Sequence, residues 1–413
     1  MTPAEFIDHH PTALVNQLRQ LVQFSTVNPP GKNYHEITAW LTRELTKRGL
    51  ATRRYQIPRG LLRRTLPPAQ HDYPRYNVLG RYEVKGANRT LHFNAHYDVV
   101  PVSGKWRHEN PFSGATEKGW VYGRGTADMK GSIASLLMAL TAVRAAGLTP
   151  NMNLEVSFTA DEETDSELGT GWLVQHARIR PDYAIVMEGG EGRAVCCGHN
   201  GTLWLEVEVH GRPAHGSLPH KGINALEKMA ALVRSLDDYK RILATRTWKS
   251  PNGRCHRPTV NLGGVFHCGE GAKINTVPAH ASFTIDRRVL PQEDHAAAEK
   301  ELRTTLRAAA RQIPQCRITI NKISENFACF SAPSDPFFKA MAGCVSRVRR
   351  QRAQFDVSSG FNDMHFFSHY FKIPTLGYGP GGQDYHAVDE RAEIKELLAS
   401  AKIYAELMTT FAG

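Results

Sequence analysis

Residues 91–101, LHFNAHYDVVP, form an apolar and aromatic run that ends in His96, with Asp98 two positions further on. Side chains two apart in a strand point to the same face. His96 and Asp98 therefore stand side by side where a strand runs out into a loop. Taken alone, the pair reads as the polar end of a buried strand more than as a binding site. Its surroundings decide.

Outward from this stretch, strand-like and helix-like segments alternate. Residues 12–23 and 35–49 read as amphipathic helices, and RYNVLGRYEV and TLHFNAH as strands. MKGSIASLLMALTAVRAAG reads as a helix closed by Gly147. NLEVSFTA is strand-like, 166–177 helical, and DYAIVME strand-like again. Such alternation implies an α/β sheet with helices on its faces, whose ligands gather at the carboxyl ends of the strands. The segment 58–74, rich in Pro and Arg, reads as a surface excursion.

From about residue 199 the grammar changes. TLWLEVEVHG alternates apolar and polar residues, so one face of that strand is wet. A helix at 223–236, strands near 259–267 and 280–289, a helix at 292–313 and a strand at 316–323 complete a β-α-β-β-α-β order, the signature of a ferredoxin-like layer. The expected organisation is a catalytic domain in two parts, 1–198 and 326–413, with an inserted domain at 199–325.

The 413 residues suffice for two or three domains and a large core. No run of about 18 apolar residues offers a membrane span, and the N-terminus lacks the basic start and apolar core of a secretory signal. Seven cysteines, an odd number without a C-x-x-C pair, read as reduced thiols of a cytoplasmic protein. The formal net charge is +11, but the basic residues are dispersed, which argues against nucleic acid and for a small acidic substrate.

The chemistry lies at the strand ends. His96 and Asp98 end one strand; Asp128 sits in GRGTADMKG before the long helix; Glu162 and Glu163 follow NLEVSF; Glu188 ends DYAIVME; His386 sits in GPGGQDYHAVDE after IPTLGYG. Singly, each has a simpler reading: Asp128 as a helix N-cap, the acids of TADEETDS as a solvated loop. Together they bring two imidazoles and several carboxylates to one sheet edge, where like charges repel unless cations neutralise them. Mixed nitrogen and oxygen ligands suit zinc, or cobalt or manganese.

HYDVVP, WVYGRGTADMKG, TADEE, MEGG, GRPAHGSLPHKGINAL, INTVPAHASFTIDRR and GPGGQDYHAVDE, in that order along nearly the whole chain, resemble the co-catalytic zinc aminoacylase and exopeptidase family. That family includes acetylornithine deacetylase, succinyl-diaminopimelate desuccinylase, aminoacylase and glutamate carboxypeptidases. The resemblance implies a mixed-sheet, zinc-peptidase-like α/β catalytic domain with an inserted ferredoxin-like α+β lid and dimerisation domain. It implies two divalent metal ions, with His96 and Glu188 on one, Glu163 and His386 on the other, and Asp128 bridging them before a cis peptide bond. Glu162 is implied as general base, Asp98 as the partner of the second nitrogen of His96, His215 as an oxyanion donor, and Asn275 and Arg288 as substrate contacts. His220 reads as structural. The expected activity is removal of an acyl group from an N-acyl amino acid or amine, the alternative a dipeptidase or metallo-carboxypeptidase. The expected protein is a homodimer without nucleic-acid or membrane partners. Residues 358–367, SSGFNDMHFF, depart from the family pattern, which speaks against specificity for a dicarboxylate such as succinyl-diaminopimelate.

Overall fold

A computed structural model describes residues 1–176, 178–269 and 272–413. The chain forms two compact units, one of residues 1–198, 330–358 and 362–413, the other of residues 199–329 and 359–361.

In the larger unit the strands Ala51–Gln56, Tyr76–Tyr82, Asn153–Thr159, Thr90–His96, Tyr183–Val186, Thr375–Gly377 and Ala194–His199 lie side by side in that order within one mixed sheet. The middle four run parallel to one another, so their carboxyl ends share an edge. The strand Thr90–His96 is almost wholly buried although His92 and Asn94 interrupt it. The nitrogens of both side chains are paired. His92 bonds Glu155 at 2.9 Å and Ser157 at 2.7 Å, and Asn94 donates to Ser157 and Thr170 at 3.0 Å. Buried polar groups are tolerated where they are paired in this way.

The helix Gly131–Ala145 is apolar on nearly every face because it is enclosed, packing against the helices Pro3–His9, Pro11–Gln23 and Ile394–Thr410. The helix expected over 166–177 is present as Thr170–Gln175, and residue 177 lies outside the described residues. The excursion at 58–74 contains a short helix, Arg59–Thr65, that buries Leu62.

In the smaller unit four antiparallel strands lie in the order Thr259–Cys268, His280–Val289, Gly201–His210 and Arg317–Asn326. Leu203, Leu205, Val207 and Val209 are buried in one core with residues of the helices Ala225–Ser235, Asp237–Thr245 and His295–Gln312, while Glu206 and Glu208 stay on the half-exposed face. Sequence periodicity did not show the helix Asp237–Thr245. Only Tyr239 and Leu243 of it are buried.

One ion pair fixes the loop after Asn153–Thr159. Arg75, fully buried, places Nε 2.8 Å from Asp161 Oδ2, and its other nitrogens donate to the carbonyls of Pro30 and Tyr73 at 2.7 Å and to Gln70 at 2.8 Å. Removing one partner of a buried pair leaves an uncompensated charge, so Arg75→Met is expected to lower the unfolding free energy of this unit by about 3–5 kcal/mol. Urea unfolding measures it; a midpoint equal to that of the native chain would contradict the assignment.

Candidate active site

The edge shared by the parallel strands gathers the predicted residues of the larger unit. His96, the last residue of its strand, is buried, and its Nε2 lies 3.0 Å from Asp128 Oδ1, 3.8 Å from Glu188 Oε2 and 3.9 Å from Glu162 Oε2. His386 approaches from the other side, with Nε2 3.3 Å from both Asp128 Oδ2 and Glu163 Oε2. Asp128 thus presents one oxygen to each imidazole. The peptide bond Asp128–Met129 is cis, as the resemblance implied.

Asp98 meets the second nitrogen of His96 through two groups. The closer partner of His96 Nδ1 is the backbone carbonyl of Asp98, at 3.1 Å, with the carboxylate 3.5 Å away. The carboxylate instead accepts the backbone N–H groups of Glu162 at 3.2 Å and Glu163 at 3.3 Å. A strand-end Asp does both because its backbone still follows the strand while its side chain reaches across to the next loop. Either way the Nδ1–H of His96 is engaged, which leaves Nε2 as the acceptor for a cation.

Three further residues hold the site, and none was singled out from the sequence. Glu390 is buried, with Oε1 accepting the backbone N–H groups of Gly125, Ala127 and Asp128 at 3.0, 2.9 and 3.1 Å and Oε2 accepting from Arg124 at 2.6 Å. It shapes the turn that aims Asp128. Its only signal was its place at the end of GPGGQDYHAVDE. Asn28 donates to Asp98 at 3.1 Å and to Asp161 at 3.0 Å, linking two loops from a segment, STVNPP, without chemical signature. Asp161 itself sits at φ +61° and His386 at φ +59°, in the left-handed region. Backbone strain in non-glycine residues is held by its surroundings and clusters at functional sites.

The electrostatics are those of crowded acids. Burial, with the charge of Glu188, pushes the Glu162 carboxyl well above the usual range. Burial, with the charge of Asp128, raises Glu163 to about 6, and burial raises Glu188 to about 7. Hydrogen bonds that it donates to the carboxylates of Asp128 and Glu163 raise His386 to about 10. Burial opposes the charged form of His96, but bonds to Asp128, Asp98 and Glu188 outweigh it.

This donor set fits divalent cations. His96, Asp128 and Glu163 each offer an atom, all within 4.8 Å of one another. Glu188 Oε1 is buried with no hydrogen-bond partner among the described residues, a costly state for a carboxylate that a cation relieves. Two imidazoles and several carboxylates match the preferences of zinc and its neighbours.

The remaining predicted residues belong to the smaller unit. His215 and Asn275 are neighbours there: His215 bridges to Thr276, and Gly216 N donates to Asn275 O at 2.7 Å. Both are exposed. Arg288 is held by Asp286, whose Oδ2 accepts from Nε at 3.1 Å and from a terminal guanidinium nitrogen at 2.9 Å. Arg287 is buried and paired with Glu293 at 2.7 Å. In the departing segment, Asp363 accepts from Thr170 at 2.5 Å and from Ser166, and His365 is buried with its Nδ1 2.8 Å from the carbonyl of Asn362.

Comparison with known proteins agrees with this geometry. The profile of peptidase family M20/M25/M40 matches residues 92–410. A succinyl-diaminopimelate desuccinylase of Paracoccus denitrificans is 29% identical over 348 residues, 81% of this chain and 86% of that protein. The fold resembles an M20 family metallo-carboxypeptidase from Sulfolobus solfataricus, with a TM-score of 0.75 at 19% identity over 96% of this chain and 98% of that one. It also resembles a dinuclear metal-binding M20 peptidase of Bacillus subtilis, with a TM-score of 0.69 at 13% identity over 97% of both chains. The chain belongs to peptidase family M20/M25/M40, and it is a metal-dependent hydrolase of amide bonds.

Proposed function

We propose that the chain removes an acyl group from an N-acyl amino acid or a related N-acyl amine, using two divalent metal ions, zinc first and cobalt or manganese as alternatives. The observation that carries this reading is Asp128, whose two carboxylate oxygens face different imidazoles at 3.0 and 3.3 Å. The desuccinylase activity of the Paracoccus relative and the dinuclear metal binding of the Bacillus peptidase support it.

In this reading His96 and Glu188 hold one ion, Glu163 and His386 the other, and Asp128 lies between. Bound there, the ions neutralise the carboxylates and act as Lewis acids toward water and the amide carbonyl. Glu162, positioned through its backbone by Asp98, takes a proton from the attacking water and delivers it to the departing amine nitrogen. Burial and the charge of Glu188 make it hold a proton more readily than a free carboxylate does. His215 donates to the carbonyl oxygen as that atom gains charge. Asn275 and Arg288 hold the acyl or carboxylate end, the planar guanidinium binding two oxygens at once. The cysteine pattern suits a reducing compartment, and we place the reaction in the cytoplasm.

We further propose a homodimer formed through the smaller unit. Its edge strand Thr259–Cys268 exposes Val265 by 50% and Phe266 by 69%, and Ile274 nearby is fully exposed. Uncovered apolar side chains on an open strand edge invite pairing with a second chain.

The reading is tested on N-acetyl, N-succinyl and N-formyl amino acids and on dipeptides, with zinc or cobalt supplied. Higher kcat/KM on N-acyl amino acids is expected; a preference for dipeptides would select the dipeptidase alternative. Glu162→Ala is expected to retain metal and lose about 10²–10⁴-fold in turnover. Glu163→Ala should weaken metal binding, and the opposite outcome for the two variants would exchange their roles. Analytical ultracentrifugation should give the mass of two chains; a monomer at micromolar concentration would refute the dimer.

A further inference from the structure

The open face of the smaller unit's sheet carries a second group of metal-binding side chains, unrelated in sequence to the catalytic constellation. The strands Gly201–His210 and His280–Val289 run antiparallel with His210 directly opposite His280 and Glu208 opposite Ser282. Because Val207 and Val209 face the helices, the period of two turns Glu208 and His210 to the other face. Directly opposed residues have Cβ atoms about 4.5–5.5 Å apart, so His280 joins them there.

The three side chains converge. Glu208 Oε2 lies 3.4 Å from His280 Nε2 and 4.0 Å from His210 Nε2. One donor atom from each lies within 4.8 Å of the others. Ligands about 2.0–2.2 Å from a tetrahedral zinc ion stand about 3.3–3.5 Å apart, so small rotations of the side chains close the site. Asn321, on the neighbouring strand Arg317–Asn326, donates to Glu208 Oε1 at 2.7 Å, which fixes the carboxylate and leaves Oε2 turned toward the imidazoles. The hydroxyl of Thr319 lies 2.8 Å from His210 Nε2, the nitrogen that faces Glu208, and an ion bound there would take the place of that hydrogen bond. The side chains are 27–38% exposed, so water can fill the remaining coordination positions.

We propose that Glu208, His210 and His280 bind one divalent transition-metal ion, separate from the catalytic pair. Two imidazoles and one carboxylate are a donor set for zinc, nickel or copper, not for magnesium or calcium. The ion ties together two strands that lie some seventy residues apart in sequence, so it stabilises the inserted unit rather than taking part in hydrolysis.

The test uses the full chain stripped with chelator and then equilibrated with excess zinc, with bound metal counted after desalting. The double variant His210→Ala/His280→Ala is expected to hold one ion fewer than the native chain while keeping its hydrolase activity. This difference is independent of how many ions the catalytic edge takes. Asn321→Ala, which removes only the orienting bond, should weaken the extra ion about 10–100-fold, as loss of such supporting contacts does. Glu208→Gln should lose the ion with no change in the shape of the unit. Equal metal content in the native chain and the double variant, or competition by magnesium as effective as by zinc, would overturn the proposal.

Discussion

Carboxylates brought together at the carboxyl ends of parallel strands repel one another, and the architecture of the larger unit answers that constraint. Asp98, Asp128, Asp161, Glu162, Glu163 and Glu188 all come from loops after strands or from the turn before the long helix. They are kept near one another by groups that cannot relax. Asp98 grips the backbone of the Glu162–Glu163 turn, Glu390 grips the backbone around Asp128, and Asn28 ties Asp98 to Asp161. Arg75 and Arg124 supply the positive charge that lets two of these supporting acids stay buried. The acids that face the opening have only imidazoles for company, and it is there that cations are needed.

A division of labour follows. Supporting carboxylates spend their oxygens on backbone N–H groups and guanidinium, so their negative charge is neutralised within the fold. The carboxylates proposed as ligands keep oxygens open, as Glu188 Oε1 does. The distinction explains why Asp98 is a positioning residue twice over. Its carbonyl sets the ring of His96, and its carboxylate sets the turn that presents Glu162. A change in Asp98 therefore disturbs both His96 and Glu162, the residues proposed as metal ligand and general base.

Much of this was legible in the sequence because strand periodicity and strand ends are local properties. His96 and Asp98 could be placed side by side from spacing, and TLWLEVEVHG declared its buried and wet faces residue by residue. The order of strands and helices gave the inserted layer its ferredoxin-like topology. What stayed hidden was long-range or belonged to residues with no chemical pattern. Glu390 reaches the turn around Asp128 from more than 260 positions away, Asn28 lies in a loop of prolines, and Arg75 stood at the start of a strand-like segment with no sign of its partner Asp161. The helix Asp237–Thr245 was missed because it buries little. The cross-strand trio Glu208, His210 and His280 could not be seen before the register was known.

The account rests on Asp128 standing between two cation positions. Anomalous diffraction from crystals grown with zinc, recorded on either side of the zinc absorption edge, locates those positions directly. Two peaks about 3.5–4 Å apart, one beside His96 and Glu188 and the other beside Glu163 and His386, with Asp128 between them, is the predicted result. A single peak at this edge of the sheet, or two peaks that do not share Asp128, would contradict it.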